Sequence, residues 1–598
     1  VSISHIDYFY KKPRLPRTII EKYREGIIIG SACEAGEVYR ALLDGKTEDE
    51  LLKIASFYDY LEIQPRGNNR FLVEKGILSS EEDILNLNKK VVELGDKLGK
   101  LTVATTDAHY PTAESAIYRN IIMYGMGFSE TNSNNLYLKT TDEMIEEFDY
   151  LGERAHEVVV TNTNKIADMI EVIRPIPAEK YYPEIPDAKG KLYKSCYDRA
   201  GELYGDPLPP EIKERLEKEL ESIIGNGYAA LYIAAQMLIK KSEEDGYVVG
   251  SRGSVGSSFA ATMAGITEIN PIAPHYRCPK CKHFEFAEDI LKYDVGFDMP
   301  DKKCPECGEL LIKDGFNIPF ATFLGFKGDK EPDIDLNFAG EYQARAHKYV
   351  GKIFGEKNIF KAGTVSKIKD RTAFGFVKKY IDETGLNASQ SDIDLLVKGC
   401  SGVKRTTGQH PGGIIVLPEG HEIYEFTPIQ KPANKRDSDI ITTHYDYHKI
   451  DNNLLKLDIL GHDAPSILRH LQDMTGVEPK AVPLDDEATM SIFTSLDALK
   501  IKIKDYKFKH GTYAIPEFGT HFTRGMLDTI KPTTYSELVK MSGFSHGTKV
   551  WQGNAEDLIK NNIAGIDEVI SCRDDIMNYL IVKGVEDSKA FSIMEHVR

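Results

Sequence analysis

The stretch Glu331-Pro-Asp-Ile-Asp-Leu-Asn-Phe338 restricts the fold of this chain more than any other eight positions. Asp333 and Asp335 are two apart, so on a β-strand both side chains leave the same face. Carboxylates held that close repel unless a cation sits between them. Two divalent cations about 3.5–4 Å apart, gripped by such carboxylates, align an in-line phosphoryl displacement. Asp-x-Asp is also common in solvated loops, so its weight comes from the residues that accompany it.

At 598 residues the chain exceeds a single core and is expected to divide into about three or four domains. An apolar fraction of 41% and a charged fraction of 28% are ordinary for a globular protein. No apolar run reaches the ~18–20 residues of a membrane span, and no signal peptide precedes the first domain, so no membrane partner is expected. Val1 opens the chain and Arg598 falls inside a helical pattern, so both ends read as cut and a fragment is expected. Of the eight cysteines, four cluster between Cys278 and Cys307, while Cys33, Cys196, Cys400 and Cys572 stand singly. That distribution fits a reducing cytoplasm and one metal site better than a disulfide framework.

A net charge of -17 argues, as an average, against a nucleic-acid partner. The average conceals a split. Between Tyr342 and Tyr380 lie ten basic residues, among them Lys361, Lys367, Lys369 and Arg371, against only Glu356 and Asp370. A solvated helix face explains such an excess, and so does a grip on a phosphate backbone.

Along the chain, short apolar strands (Gly26–Gly30, Tyr58–Ile63, Leu101–Thr105) alternate with helical stretches such as Glu81–Leu98 through the first ~175 residues, an α/β rhythm. Prolines 175, 177, 183 and 186 mark a linker. Helices are expected over Pro210–Lys241, then a Tyr247–Val249 strand. Residues 341–400 read as mostly helical, strands return at Gly413–Leu417, Thr442–Tyr447 and Leu454–Ile459, and helices follow from Asp485.

Four further constellations carry chemistry. Val249-Gly-Ser-Arg-Gly-Ser-Val-Gly-Ser-Ser258 follows the expected strand and opens an Ala-rich helix, Phe259–Ala264. Glycines let amides approach a phosphate, and a helix N-terminus favours anions. It lacks the Gly-Lys-Ser/Thr of a Walker loop, and a flexible connector is the plain alternative. Cys278-x-x-Cys281 and Cys304-x-x-Cys307, separated by 22 residues, suit a closed tetrahedral Zn²⁺ site, with His275 and His283 as spare ligands. In Leu454-Leu-Lys-Leu-Asp-Ile-Leu460, Lys456 and Asp458 share a strand face. They form either a mutual ion pair or a third carboxylate beside the first two. Arg405-Thr-Thr-Gly-Gln-His410-Pro-Gly-Gly413 reads as a polar turn in which His410 donates a proton, contacts phosphate or satisfies backbone groups. Near the N-terminus, Asp107 and His109 end an apolar strand where a metal-binding α/β unit places ligands, with Glu62 and Glu34 as companions.

Together and in this order, the glycine-serine loop, the Pro-Asp-Ile-Asp pair, the Lys-x-Asp strand and the Thr-Gly-Gln-His-Pro-Gly-Gly turn resemble the bacterial C-family replicative DNA polymerases. The four-cysteine knuckle favours the PolC branch, the DNA polymerase III alpha subunit typical of Gram-positive bacteria, over the DnaE branch. The resemblance implies an α/β multidomain chain. Residues 1–175 would be the C-terminal part of a PHP domain, 176–340 and 430–475 the two parts of a polymerase-beta-like nucleotidyltransferase palm, 341–429 a helical thumb, and 476–598 truncated helical fingers.

It further implies Mg²⁺ on Asp333, Asp335 and Asp458, and zinc on the four cysteines. Manganese or zinc would sit in the PHP remnant at Glu62, Asp107 and His109. The incoming dNTP would meet Gly250, Ser251, Arg252, Gly253, Ser254, Gly256, Ser257, Lys456 and Arg573, with Ser545–Thr548 a weaker candidate. Primer-template DNA would lie on Lys361, Lys367, Lys369 and Arg371, with the sliding clamp and other replisome subunits as partners of the intact protein. Two other classes compete: a PHP-type phosphoesterase centred on Asp107 and His109, and a non-catalytic zinc-containing nucleic-acid-binding fragment.

Overall fold

In the computed structural model, residues 1–598 are described except 129–134, 289–291, 327–329, 331, 433–437, 502–508, 548 and 598. Glu331 and Thr548, singled out above, lie outside the described residues. Helices and strands mix throughout, as the α/β rhythm predicts. The chain forms two compact units: Val1–Pro177, Gly363–Gly408 and Pro428–Asp446 in one, and Ala178–Ala362, Gln409–Thr427 and Tyr447–Arg598 in the other. The stretch 341–429, expected as a helical thumb, contributes to both units and carries two long strands, Ile359–Lys367 and Lys404–Val416, besides its helices. No single helix among the described residues is long and apolar enough to cross a membrane.

In the first unit, strand Tyr60–Ile63 pairs in parallel with Leu101–Ala104, and the helix Glu81–Leu98 makes the crossover between them. Its ends are written in the sequence. Ser80 and Asp83 form a capping box, and Gly99 closes the helix at φ 64°. Leu87, Val91 and Leu94 then face Leu61 and Ile63 in one core. The strand expected at Gly26–Gly30 does not form; only Gly30 bridges Tyr60. The Asp59 carboxylate takes the Ile29 amide instead, at 2.7 Å. A second core joins helices Ala116–Gly125, Asp370–Thr384 and Gln390–Cys400 through Ile121, Ala373, Val377 and Cys400.

In the second unit, helices Ala188–Tyr204, Pro210–Gly225 and Ala229–Glu244 share one core with a sheet. The sheet runs Gly250–Arg252, Asp335–Ala339, Leu455–His462 and then 409–416. Phe259, Phe338, Val416 and Ile459 are almost fully buried there, each contributing about 1.5–3 kcal/mol. The strand expected at Tyr247–Val249 begins three residues later, because Gly250–Arg252 is what pairs with Asp335–Asn337. A smaller sheet sets His275–Arg277 between Phe284–Phe286 and Ile312–Asp314. Toward the C-terminus, helices His521–Ile530 and Tyr535–His546 close on Met526, Met541, Phe544 and Trp551.

Candidate active site

Four stretches distant in sequence meet on the sheet of the second unit. Asp335 and Asp458 are register partners on adjacent parallel strands. Across the other edge of the Asp335–Ala339 strand, Arg252 is the partner of Asp335, and Gly413 is the partner of Asp458. The strand starts at Asp335, so Asp333 lies just before it and not within it. The alternation holds nonetheless: Ile334, Leu336 and Phe338 are buried, while Asp333, Asp335 and Asn337 are not.

Carboxylate oxygens of Asp333, Asp335 and Asp458 lie within 4.8 Å of one another. Two unit charges about 4 Å apart repel by roughly 4 kcal/mol at the effective dielectric of a protein surface. A proton or a cation must relieve that. Burial, then the charges of Asp333 and Asp458, push the Asp335 carboxyl up to about 7, with Lys456 and Arg252 opposing. Asp335 Oδ1 and Asp458 Oδ1 are buried without a hydrogen-bond partner among the described residues. Unpartnered buried oxygens on a hard-ligand carboxylate set fit Mg²⁺ or Mn²⁺.

The other oxygen of Asp458 is engaged. Lys456 Nζ donates to Asp458 Oδ2 at 2.7 Å and sits 4.2 Å above the Tyr447 ring. Burial disfavours the Lys456 ammonium, but its bond to Asp458 and the charges of Asp458, Tyr447 and Asp333 together outweigh this and raise its pKa. Both sequence alternatives for the Lys-x-Asp strand are therefore realised at once: an ion pair, and a third carboxylate at the cluster. The N–H groups of Gly412 and Gly413 donate to His410 Nδ1 at 3.3 and 2.7 Å, so that nitrogen carries no proton. The ring stands 3.6 Å from Asp458 Oδ1. Gly413 has no room for a side chain, since a Cβ would come within 2.8 Å of His410 Nδ1.

The glycine segment is open only in part. Arg252 and Gly253 are exposed and Ser251 and Ser254 half-buried, whereas Val255 to Ser258 are buried. Gly256 packs toward Ile269, and Ser257 Oγ bonds the Ser254 carbonyl at 2.5 Å. The helix that follows is five residues long, Phe259–Met263. Its Ala260 and Ala261 amides already serve Glu219 and Ser258 at 2.9 and 3.1 Å. The helix N-terminus is thus satisfied within the protein and is not the anion site the sequence suggested. Gly256 and Ser257 are likewise off the open surface, leaving Gly250, Ser251, Arg252, Gly253 and Ser254.

Other expected residues are dispersed. Arg573 starts the Arg573–Val582 helix and pairs with Glu595 at 3.8 Å; Glu595 also receives Lys330 at 3.3 Å. Ser545 and His546 close the Tyr535–His546 helix, His546 facing Glu517 at 3.1 Å. Lys361 is not on an exposed phosphate-facing surface: its ammonium is half-buried and turned onto the His347 ring. Lys367, Lys369 and Arg371, in the first unit, are exposed.

The four cysteines converge, with Cys278–Cys307 and Cys281–Cys304 sulfurs each 3.5 Å apart. That is too long for a disulfide at about 2.05 Å and suits the edges of a tetrahedron with ~2.3 Å arms around Zn²⁺. His275 is turned to Tyr204 and Ala273, and His283 to Glu306 and Glu285. In the first unit Asp107 and His109 stand 3.7 Å apart, and Glu62 accepts from Thr105 at 2.8 Å. Among the described residues, the sets of three or more ligand side chains that close on one point are the four cysteines and the three aspartates.

One pair was not read from the sequence: Arg215 with the buried Glu219, which bond the backbone at Ser257 and Ala260. Its signal was present, because Glu219 falls on the apolar stripe of Ile212, Leu216, Leu220 and Ile223.

Residues 190–390 and 377–461 match the family model described as the bacterial DNA polymerase III alpha NTPase domain. Residues 464–598 match the bacterial DNA polymerase III alpha subunit finger domain. The entire chain also aligns with proteins named DNA polymerase III PolC-type. Identity is 54% over 600 residues in Clostridium perfringens, 52% over 603 in Bacillus subtilis and 50% over 602 in Staphylococcus aureus. Each alignment covers 100% of this chain but 41%, 42% and 42% of the respective relative, so the chain spans about two fifths of their length. Matches to both models and to relatives along its full length establish that the chain belongs to the PolC-type DNA polymerase III alpha family.

Proposed function

We propose that this chain carries the nucleotidyl-transfer centre of a replicative, template-directed DNA polymerase. The observation that carries the proposal is the closure of Asp333, Asp335 and Asp458 to within 4.8 Å from two stretches distant in sequence. The sheet that carries the three aspartates, strand 409–416 included, belongs to the palm, with 363–408 in the thumb, 476–598 part of the fingers and 1–175 part of a PHP domain. The reaction joins the primer 3′-oxygen to the α-phosphorus of a dNTP and releases pyrophosphate.

Divalent cations held by the three aspartates supply activation of the hydroxyl and neutralisation of developing charge. The remaining work falls to the chain's own groups. Asp335 and Asp458, locked in register, fix the spacing of their free oxygens. Lys456 holds Asp458 in one orientation and places a cation beside it. Arg252, Gly253 and Ser254 offer donors to the triphosphate across from Asp335. Protein contributes position and charge here, not covalent chemistry. Cys278, Cys281, Cys304 and Cys307 hold a structural zinc that staples a segment with little apolar core of its own. Lys367, Lys369 and Arg371 meet the duplex backbone, while template pairing supplies sequence choice.

The test is primer extension by the full-length protein with Mg²⁺ and all four dNTPs. Template-dependent extension, lost in Asp333→Asn with primer-template affinity retained, is expected; equal extension by Asp333→Asn would remove the assignment.

A further inference from the structure

None of the groups assigned above comes from the Pro210–Gly225 helix, yet that helix drives one carboxylate, Glu219, into the core and pairs it with the half-buried Arg215. Glu219 is 0% exposed. Arg215 Nε donates to its Oε1 at 2.5 Å. Ser258 Oγ and the Ala260 N–H donate to its Oε2 at 3.0 and 2.9 Å. Arg215 Nη2 then donates to the carbonyls of Ser257 and Ile318 at 3.1 and 3.2 Å. Tyr232 completes the shell with a 3.1 Å bond to Ser258 Oγ. Two side chains thereby hold the backbone of the segment on both sides of Ser258.

Stability is a weak reason for such a pair. Burying the Glu219 carboxylate carries a desolvation penalty, and well-packed apolar replacements of similar volume are often neutral or more stable. The apolar neighbours Ile212, Leu216, Leu220 and Ile223 show that this stripe accommodates aliphatic side chains. What aliphatic residues cannot do is bond the Ser257 carbonyl and the Ala260 amide. Ser257 Oγ in turn bonds the Ser254 carbonyl at 2.5 Å, which ties that anchor to Arg252, Gly253 and Ser254, the open part of the segment, whose Arg252 is the register partner of Asp335.

We propose that Glu219 and Arg215 are positioning residues: their ion pair fixes the glycine segment against the Asp335 strand and so sets how tightly the triphosphate of the incoming nucleotide is bound. The proposal deepens the polymerase assignment and rests on it.

The experiment is steady-state single-nucleotide incorporation by the full-length protein, with primer-template affinity and thermal midpoint measured on the same samples. Glu219→Gln is expected to raise the KM for dNTP about tenfold while kcat falls less and primer-template affinity is unchanged. Arg215→Lys, which keeps the ion pair but loses the fork to the two carbonyls, is expected to fall between. The paired replacement Arg215→Met with Glu219→Leu separates position from stability. It should melt at or above the parent midpoint and still show the raised KM. A paired variant that is unfolded, or that has the parent KM, overturns the proposal, as does a Glu219→Gln protein whose KM and DNA affinity worsen in parallel. Asp335→Asn serves as the reference. If it incorporates nucleotide normally, the site assignment itself fails; if it is inactive while the paired variant keeps the parent KM, only the positioning role fails.

Discussion

Asp335 and Asp458 face each other across a parallel strand pair, each with one buried oxygen that has no hydrogen-bond partner among the described residues. Such a pair is costly in the absence of a cation and useful in its presence. Asp335→Asn should therefore stabilise the metal-free protein by about 1 kcal/mol, by removing like-charge repulsion. Asp458→Asn also breaks the bond to Lys456 and should lack that gain. Each should erase the stabilisation that Mg²⁺ gives the parent. Denaturant unfolding with and without Mg²⁺ measures both effects, and an Asp335→Asn variant less stable than the parent in chelator would be inconsistent with them.

His347 and Lys361 supply a pH signature. Burial, then the charge of Lys361, push His347 down to about 4 from its ordinary 6.5, and burial pushes Lys361 down to about 8. The folded state therefore keeps His347 neutral where the unfolded state is protonated. The His347 contribution to stability should be full above pH 6.5 and decline as pH falls from there toward 4. His347→Gln should flatten that limb of a thermal-midpoint profile; an unchanged slope would contradict the assignment.

Chelation should act beyond the cysteines. Asp298, downstream of the first knuckle, accepts the Tyr535 and Ser536 amides at 2.7 and 3.0 Å and so caps the Tyr535–His546 helix. Removing one tightly bound zinc per chain should increase amide exchange over 275–314 and at the start of that helix. Elemental analysis giving near-zero zinc, or exchange confined to 275–314, would contradict the four-thiolate staple or its coupling to the helix.

The two kinds of basic residue should separate cleanly. Charge reversal at exposed Lys367, Lys369 and Arg371 should weaken primer-template binding equally for all sequences. The salt slope should fall by about one for each phosphate that the parent side chain neutralises. Lys361→Met should leave the slope unchanged, because its ammonium is turned onto His347. Fluorescence anisotropy at several salt concentrations distinguishes the two.

The legibility of these features in the sequence follows their physics. Helix Glu81–Leu98 was readable because its caps are local: Ser80, Asp83 and Gly99 act within a few residues of the ends they close. The Lys456–Asp458 strand was readable because charge on an apolar run is rare without a partner. Only the end of the strand Lys404–Val416, from Gly413, was read as strand; the rest was read as a turn, since Gly408, Pro411, Gly412 and Gly413 carry turn signals. Those glycines answer to tertiary packing instead. A Cβ on Gly412 would meet the Ile459 carbonyl oxygen at 2.6 Å, so glycine lets this strand approach its neighbour. Gly26–Gly30 failed in the opposite sense, with strand composition but a single bridge to pair with. Which residues of the glycine segment stay open depends on Glu219 and Ile269, and neither is sequence-adjacent.

The most direct test of the central claim is anomalous scattering from Mn²⁺ in crystals of the full-length protein with primer-template and a non-hydrolysable dNTP. The account predicts manganese peaks coordinated by oxygens of Asp333, Asp335 and Asp458 together, lost in Asp458→Asn. Manganese absent from that cluster, or retained there unchanged in Asp458→Asn, would contradict it.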